Sequence, residues 1–220
     1  MTKIYLVRHC EAEGNLKQLF QGRIDTDVTT LGAKQLEFLT ERFKDVKLDA
    51  IYSSPLKRAF KTAEAVKGER EMPINIHKGL TEIDGGVVDG KPFKETFIEL
   101  GILDDWINRP WTVKFEEGES FAEVYDRASK ALFEIVEKHK GQTIAIASHG
   151  GVIRVLSCKA LYDDLTKLKD VNWFENTSVT VLEFDDDMKP SVSLFNDFSH
   201  LPKEFLNDKS RISNFMEKKE

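Results

Sequence analysis

Two apolar runs, each closed by a histidine, constrain this chain more than any other feature. Ile4-Tyr5-Leu6-Val7 stops at Arg8-His9, and Thr143-Ile144-Ala145-Ile146-Ala147-Ser148 stops at His149-Gly150-Gly151. Both runs are short, apolar and free of turn residues, which is how strands buried on both faces of a parallel sheet read. Open α/β sheets bind ligands just beyond the carboxyl ends of such strands. The chain therefore delivers a histidine to that edge twice. Arg8 stands beside the first histidine and Arg154 follows the second.

The remaining pattern alternates strand and helix. A helix capped by Thr29 or Thr30 runs to about Phe43, with Leu31, Leu36, Leu39 and Phe43 as its apolar positions. Ala50-Ile51-Tyr52 is a short strand. Ser53-Ser54-Pro55 opens another helix, with proline in its first turn and Leu56, Ala59, Phe60, Ala63 and Val66 along it. Ile74-Asn75-Ile76 is a third strand. A long helix covers about 120–139, a further helix runs from His149 to about Leu161, and strands at 179–184 and 191–195 close the pattern. This order implies an α/β fold: a three-layer α/β/α sandwich around a mostly parallel sheet. No repeat or Gly/Ser linker divides the chain, so residues 1–220 read as one domain. Residues 79–117 are less regular and carry Phe93, Phe97, Trp106, Trp111 and Phe115. They read as a small helical and irregular insertion over the site, its aromatics serving as extra core, as a substrate lid, or as both.

Composition narrows the function. The 220 residues are 40% hydrophobic and 32% charged, with a net charge of −6 spread along the chain. That balance argues against nucleic-acid binding by bulk electrostatics while permitting a local cationic pocket. No apolar stretch approaches the ~20 residues of a membrane span. Two cysteines, Cys10 and Cys158, make no disulfide framework, and the chain opens directly on a strand. A reduced, cytoplasmic protein is the expectation.

Four basic groups fall at strand ends or helix starts: Arg8, His9, Arg58 and His149. Guanidinium groups match phosphate oxygens through paired, charge-assisted hydrogen bonds. A histidine can accept a phosphoryl group covalently if it is neutral, and nearby arginines favour that form. The leaving oxygen then needs a proton donor, for which Glu82, Asp84, Glu11 and Glu13 are the nearby candidates. No metal-ligand spacing is visible.

Leu6-Val7-Arg8-His9-Cys10-Glu11-Ala12-Glu13-Gly14-Asn15 resembles the opening motif of the histidine phosphatase superfamily, which includes the cofactor-dependent phosphoglycerate mutases. Ordered matches follow along the chain. They are Gln21-Gly22-Arg23, Leu31-Gly32, Ser53-Ser54-Pro55-Leu56-Lys57-Arg58-Ala59, Leu80-Thr81-Glu82-Ile83-Asp84, Gly118-Glu119-Ser120 and Ser148-His149-Gly150-Gly151-Val152-Ile153-Arg154. The resemblance spans residues 3 to about 201. It implies that His9 is the nucleophile and Glu82 the acid that later becomes the base. It implies that Arg8, Arg58 and His149 grip the phosphoryl oxygens, with Asn15, Gln21, Gly22 and the Gly150 backbone lining the site. It implies no metal ion or other cofactor, because the arginines take the cation's role. The partner it implies is a small phosphorylated metabolite, with no role for nucleic acid or membrane; monomer and homodimer stay open.

Several positions depart from the family pattern. Cys10 replaces a usual glycine, either as a tolerated small residue or as a redox-sensitive thiol beside the nucleophile. Ala12 replaces a serine found in mutases, and Gly14 and Val88 stand where tryptophan is common. The form of the His149 segment, the absence of a long mutase-type insertion before Gly118, and the closing Asn196-Asp197-Phe198-Ser199-His200-Leu201 resemble broad-specificity bacterial phosphatases. In that tail His200 reads as a structural hydrogen-bonding residue. The expectation is a metal-independent phosphatase of small phosphate monoesters. A phosphoglycerate mutase and a weakly active phospho-ligand or protein-binding module are the alternatives.

Overall fold

In the computed structural model of the protein, residues 1–206 are described, so the end of the 1–220 domain expectation lies outside the described residues. Six strands form one sheet: β1 (Thr2–Arg8), β2 (Ala50–Ser53), β3 (Ile74–Ile76), β4 (Thr143–Ser148), β5 (Val179–Phe184) and β6 (Pro190–Asp197). Their order is β3-β2-β4-β1-β5-β6. The four strands from β3 to β1 are parallel, and β5 and β6 are added antiparallel at one side.

Alternation along the strands sorts side chains between two cores. Ile4, Leu6, Tyr52, Ile144 and Ile146 face one side, where they join Phe121, Val124, Leu132, Val152 and Leu156 of helices α6 (Phe121–Lys138) and α7 (Gly150–Tyr162). Val7, Ile51, Ala145 and Ala147 face the other side, against α2 (Thr30–Phe43) and α3 (Lys57–Lys67). A short helix, α1 (Glu13–Leu16), lies between β1 and α2. Burying each Leu or Ile side chain contributes about 1.5–3 kcal/mol, so a strand covered on both faces is strongly fixed in register.

That register matters for the site. Arg8 pairs with Ser148, so His9 and His149 follow side by side. Ser53 pairs with Ala147, which brings Ser54 to the same edge.

Local chemistry explains most boundaries and two differences from expectation. Thr29 caps α2 by accepting from the Gly32 N–H at 2.9 Å. Ser120 and Glu123 form a reciprocal capping box at the start of α6. Pro55 lies two residues before α3 rather than in its first turn, because Leu56 is the cap. The buried stripe of α2 is Gly32, Gln35, Leu39 and Phe43. Leu31 and Leu36 are only partly buried. The helix is turned so that a glutamine faces inward.

Residues 79–117 hold α4 (Phe93–Glu99), α5 (Leu103–Asn108) and short 3-10 turns. Phe93, Phe97, Trp106 and Phe115 are buried and pack against Phe20, while Trp106 also meets Phe121 and Trp173. These four are core side chains, which is one of the two roles that the sequence left open for them. Trp111 is half-buried.

Candidate active site

The Arg8–His9 backbone is held from two sides. On one, the His9 N–H donates to Ser148 O at 2.9 Å. On the other, the segment before β5 supplies four bonds, the longest from the Thr177 N–H to His9 O at 3.4 Å. Arg8 N–H donates to Ser178 O at 3.1 Å, Thr177 N–H donates to Arg8 O at 3.1 Å, and Asn176 Nδ2 donates to His9 O at 2.7 Å.

The His9 ring is 3% exposed and lies 5.2 Å, centroid to centroid, from the His149 ring. Its Nδ1 lies 2.7 Å from Cys10 O. A carbonyl only accepts, so Nδ1 carries the proton and Nε2 keeps a free lone pair. Burial, then the Arg58 and Arg8 charges, hold the His9 pKa well below its ordinary value. The ring is therefore neutral at neutral pH.

His149 is fully buried, and Nε2 lies 2.7 Å from Ser54 Oγ. Ser54 Oγ also accepts from the Leu56 N–H at 3.3 Å. The serine proton is then available to Nε2, which places the His149 proton on Nδ1. Burial and the Arg58 charge keep this ring neutral as well.

Arg58, 0% exposed, is aimed by two loop carbonyls. Nη1 donates to Ile24 O at 2.7 Å and Nη2 to Gly22 O at 2.8 Å. Burial lowers its pKa to about 10, which leaves it charged at neutral pH. Arg8 donates through Nη1 to Phe174 O. Three buried nitrogens of this cluster, Arg8 Nε, Arg58 Nε and His149 Nδ1, have no hydrogen-bond partner among the described residues. Unpaired buried donors cost about 1–3 kcal/mol each, and these sit on two arginines whose charges act on His9 and on the histidine ring 5.2 Å from it, a donor set suited to an oxyanion.

Glu82 reaches the same edge. Its Oε2 accepts from the Gly151 N–H at 3.1 Å and its Oε1 from the Ile83 N–H at 2.9 Å. The segment carrying it is anchored by Arg127, which donates to Gly79 O, Glu82 O and both oxygens of Glu119. Arg23 bridges Asp84 and Glu119 at 3.0 and 3.2 Å. The other acid candidates are engaged elsewhere: Glu11 accepts from Thr29 Oγ1, and Glu13 pairs with Lys17.

Asn15 and Gln21, two of the expected lining residues, use their amide oxygens within the protein. Asn15 Oδ1 accepts from the Ala12 N–H at 3.1 Å, Gln21 Oε1 accepts from Thr26 Oγ1 at 2.7 Å, and Gly22 contributes its carbonyl to Arg58. The Gln21 side chain fills the space that a side chain on residue 14 would occupy, its Cγ being 2.2 Å from a Cβ built there. That explains glycine at position 14. Gly150 sits against the site floor, a Cβ there lying 3.5 Å from Arg8 Nε and 3.6 Å from the Trp173 ring. Cys10 is fully buried and its thiol is pushed up to about 12 by desolvation, which favours the protonated, less nucleophilic form. His200 is structural, linking Arg42 Nη1 at 3.0 Å to Thr177 Oγ1 at 3.3 Å. Sequence reading missed Ser54, Phe174, Asn176 and Thr177. For Ser54 a signal existed, since it follows a strand at the ligand edge.

Fold and site together define an α/β protein with a histidine set among buried cationic donors, the arrangement of a phosphoryl-transfer enzyme. The profile of the histidine phosphatase superfamily, branch 1, matches residues 4–197, and the chain belongs to that family. Its enzyme class is phosphoric monoester hydrolase of the histidine phosphatase type. The chain is 33% identical over 187 residues to phosphoserine phosphatase 1 of Hydrogenobacter thermophilus, covering 84% of this chain and 88% of that protein. It is 33% identical over 205 residues to a metal-independent phosphoserine phosphatase of Arabidopsis thaliana, covering 91% and 84%. The solved structure of Bacillus stearothermophilus YhfR superposes with a TM-score of 0.86 at 34% identity, covering 91% of this chain and 99% of that one.

Proposed function

We propose that this phosphatase hydrolyses small phosphate monoesters, phosphoserine among them, without a metal ion and through a phosphohistidine on His9. The observation that carries the reading is the cradle: Arg8 Nε, Arg58 Nε and His149 Nδ1 are buried and unpaired, on two arginines whose charges act on the neutral His9 and on the histidine ring 5.2 Å from it. In this reading the substrate phosphoryl group receives those three donors, and His9 Nε2 attacks phosphorus in line with the leaving oxygen. The ester P–O bond breaks as the N–P bond forms. Glu82, beside the helix-start N–H of Gly151, gives its proton to the departing alkoxide. The resulting carboxylate then takes a proton from water as that water attacks phosphorus, releasing orthophosphate and restoring His9. The guanidinium charges balance the negative charge of the phosphoryl oxygens throughout.

Phosphoserine is favoured by the names of two relatives that match most of the chain. We read the described chain as one domain with 79–117 as its cap, because the aromatics of that segment share one core with Phe121 and Trp173. A cytoplasmic setting fits the two free buried cysteines.

The test is hydrolysis of p-nitrophenyl phosphate and phosphoserine in chelator, with alkali-quenched labelling from 32P-phosphoserine. Wild type is expected to turn over both and to trap base-stable, acid-labile label; His9→Ala is expected to do neither. Equal rates in the two proteins would overturn the covalent route. Efficient interconversion of 3- and 2-phosphoglycerate in the presence of the bisphosphate would favour the mutase instead.

A further inference from the structure

We propose that Gln35 is a positioning residue for the nucleophile, fixing the peptide whose carbonyl holds the His9 proton on Nδ1. The proposal rests on the reading of His9 as the phosphoryl acceptor. Gln35 is fully buried in the middle of α2, on the stripe where an apolar side chain is the norm. Both ends of its amide are used. Oε1 accepts from the Glu11 N–H at 2.9 Å, and Nε2 donates to Phe205 O at 2.9 Å.

The Glu11 N–H and the Cys10 carbonyl belong to one peptide unit. In a planar trans peptide these two groups point in opposite directions. An acceptor fixed on the N–H side therefore sets the direction of the C=O on the other. That C=O is the one that His9 Nδ1 meets at 2.7 Å. Gln35 thus lies one peptide away from the imidazole, in line with its protonated nitrogen. Hydrogen bonding at the amide N–H also polarises its carbonyl and strengthens it as an acceptor.

The preceding peptide is tied separately. Cys10 N–H donates to Thr62 Oγ1 at 3.1 Å, and Thr62 Oγ1 donates to Arg58 O at 2.7 Å. Helix α3 thereby fixes the peptide before Cys10 and links it to the turn that carries Arg58. Helix α2 fixes the peptide after Cys10. The Nε2 arm extends the chain of bonds to Phe205, whose ring also packs on Phe38 of α2, 5.1 Å between centroids. The segment after β6 is in this way wired to the nucleophile, although it contributes no group to the phosphate cradle.

The tautomer decides activity because the reacting nitrogen must be unprotonated. If the Cys10 carbonyl turns away, Nδ1 loses its acceptor, and the tautomer protonated on Nε2 gains population. That form cannot attack phosphorus. The phosphate donors Arg8, Arg58 and His149 are untouched by the change.

The experiment is Gln35→Met and Gln35→Glu, read by steady-state kinetics and by long-range 1H–15N correlation of the histidine rings. Wild type is expected to show His9 protonated on Nδ1 only. Gln35→Met is expected to show mixed His9 tautomers and a kcat lowered in proportion to the fraction lost from the Nδ1–H form, about 2-fold for an even mixture, with KM within about 2-fold. Gln35→Glu keeps an acceptor oxygen for the Glu11 N–H and is expected to keep the Nδ1–H tautomer and most of kcat. Unmixed tautomers in a folded Gln35→Met protein would overturn the proposal. If that variant does not fold, mixed tautomers in Gln35→Glu would overturn it. A loss of the Nδ1–H tautomer with no matching loss of kcat would instead overturn the role of His9, a result that the His9→Ala labelling experiment reports independently.

Discussion

Gly151→Ala separates the placement of Glu82 from the stability of the fold. A Cβ at residue 151 would stand 2.6 Å from Glu82 Oε1, 3.4 Å from Glu82 Cδ and 3.6 Å from the Phe121 ring. The backbone has room; the carboxylate oxygen does not. Oε1 must retreat by about 0.8 Å to regain an ordinary contact of 3.4 Å. That movement weakens the 3.1 Å bond from the Gly151 N–H that holds Oε2. A displacement near 1 Å costs up to about 10²-fold in rate, within the 10²–10⁴-fold that general acid catalysis typically supplies. The loss should depend on the leaving group. A serine alkoxide requires a proton, whereas nitrophenolate departs with little help. We expect kcat/KM to fall about 10²-fold for phosphoserine and under about 5-fold for p-nitrophenyl phosphate. Residue 151 lies in the first turn of α7, where replacing glycine by alanine gains up to about 1 kcal/mol of helix propensity. The melting temperature should therefore hold or rise. Equal losses for the two substrates would refute the assignment of Glu82 as acid. Unchanged kinetics would refute the steric argument.

Two further outcomes are expected. The His9 pKa is depressed by burial and by Arg58 and Arg8, so the acidic limb of kcat/KM should fall below the ordinary histidine value of 6.5 once the substrate's own ionisation is separated. By the same sign, the folded state excludes this proton. The stability that His9 contributes is present above pH 6.5 and is lost as pH falls through its depressed value; a limb at or above 6.5 would refute the neutral, buried imidazole. The Cys10 and Cys158 thiols are pushed up to about 12 and about 11. Native protein should resist both peroxide inactivation and thiol labelling, while unfolded protein labels at both cysteines. Rapid native labelling with loss of activity would show a reactive thiol beside the nucleophile.

Much of the site was legible because strand ends in a parallel sheet point where ligands bind. Arg8 ends one such strand and His9 and His149 follow two of them, and the structure sets the histidines side by side through the Arg8–Ser148 register. Asn176 and Thr177 were not legible for the converse reason. They precede β5, which runs antiparallel to β1, so its beginning rather than its end reaches the same edge. Gln35 was hidden by its own polarity. Leu31 and Leu36 suggested an apolar face, yet the buried stripe runs through the glutamine, because its amide satisfies a distant backbone. Hydropathy records what a side chain is, not which peptide it will meet. The aromatics of 93–115 showed the opposite limit, since their spacing fits a lid as well as a core and only their mutual packing decides.

The two loop carbonyls that aim Arg58 carry a consequence for turnover. With Gly22 and Ile24 holding two of its nitrogens, the guanidinium is preorganised before substrate arrives and has little to rearrange on binding. The orthophosphate left at the end of a cycle meets the same fixed donors. In the proposed mechanism substrate and product therefore compete for one cradle, so a site made ready for the incoming phosphoryl group also holds the phosphate that must leave.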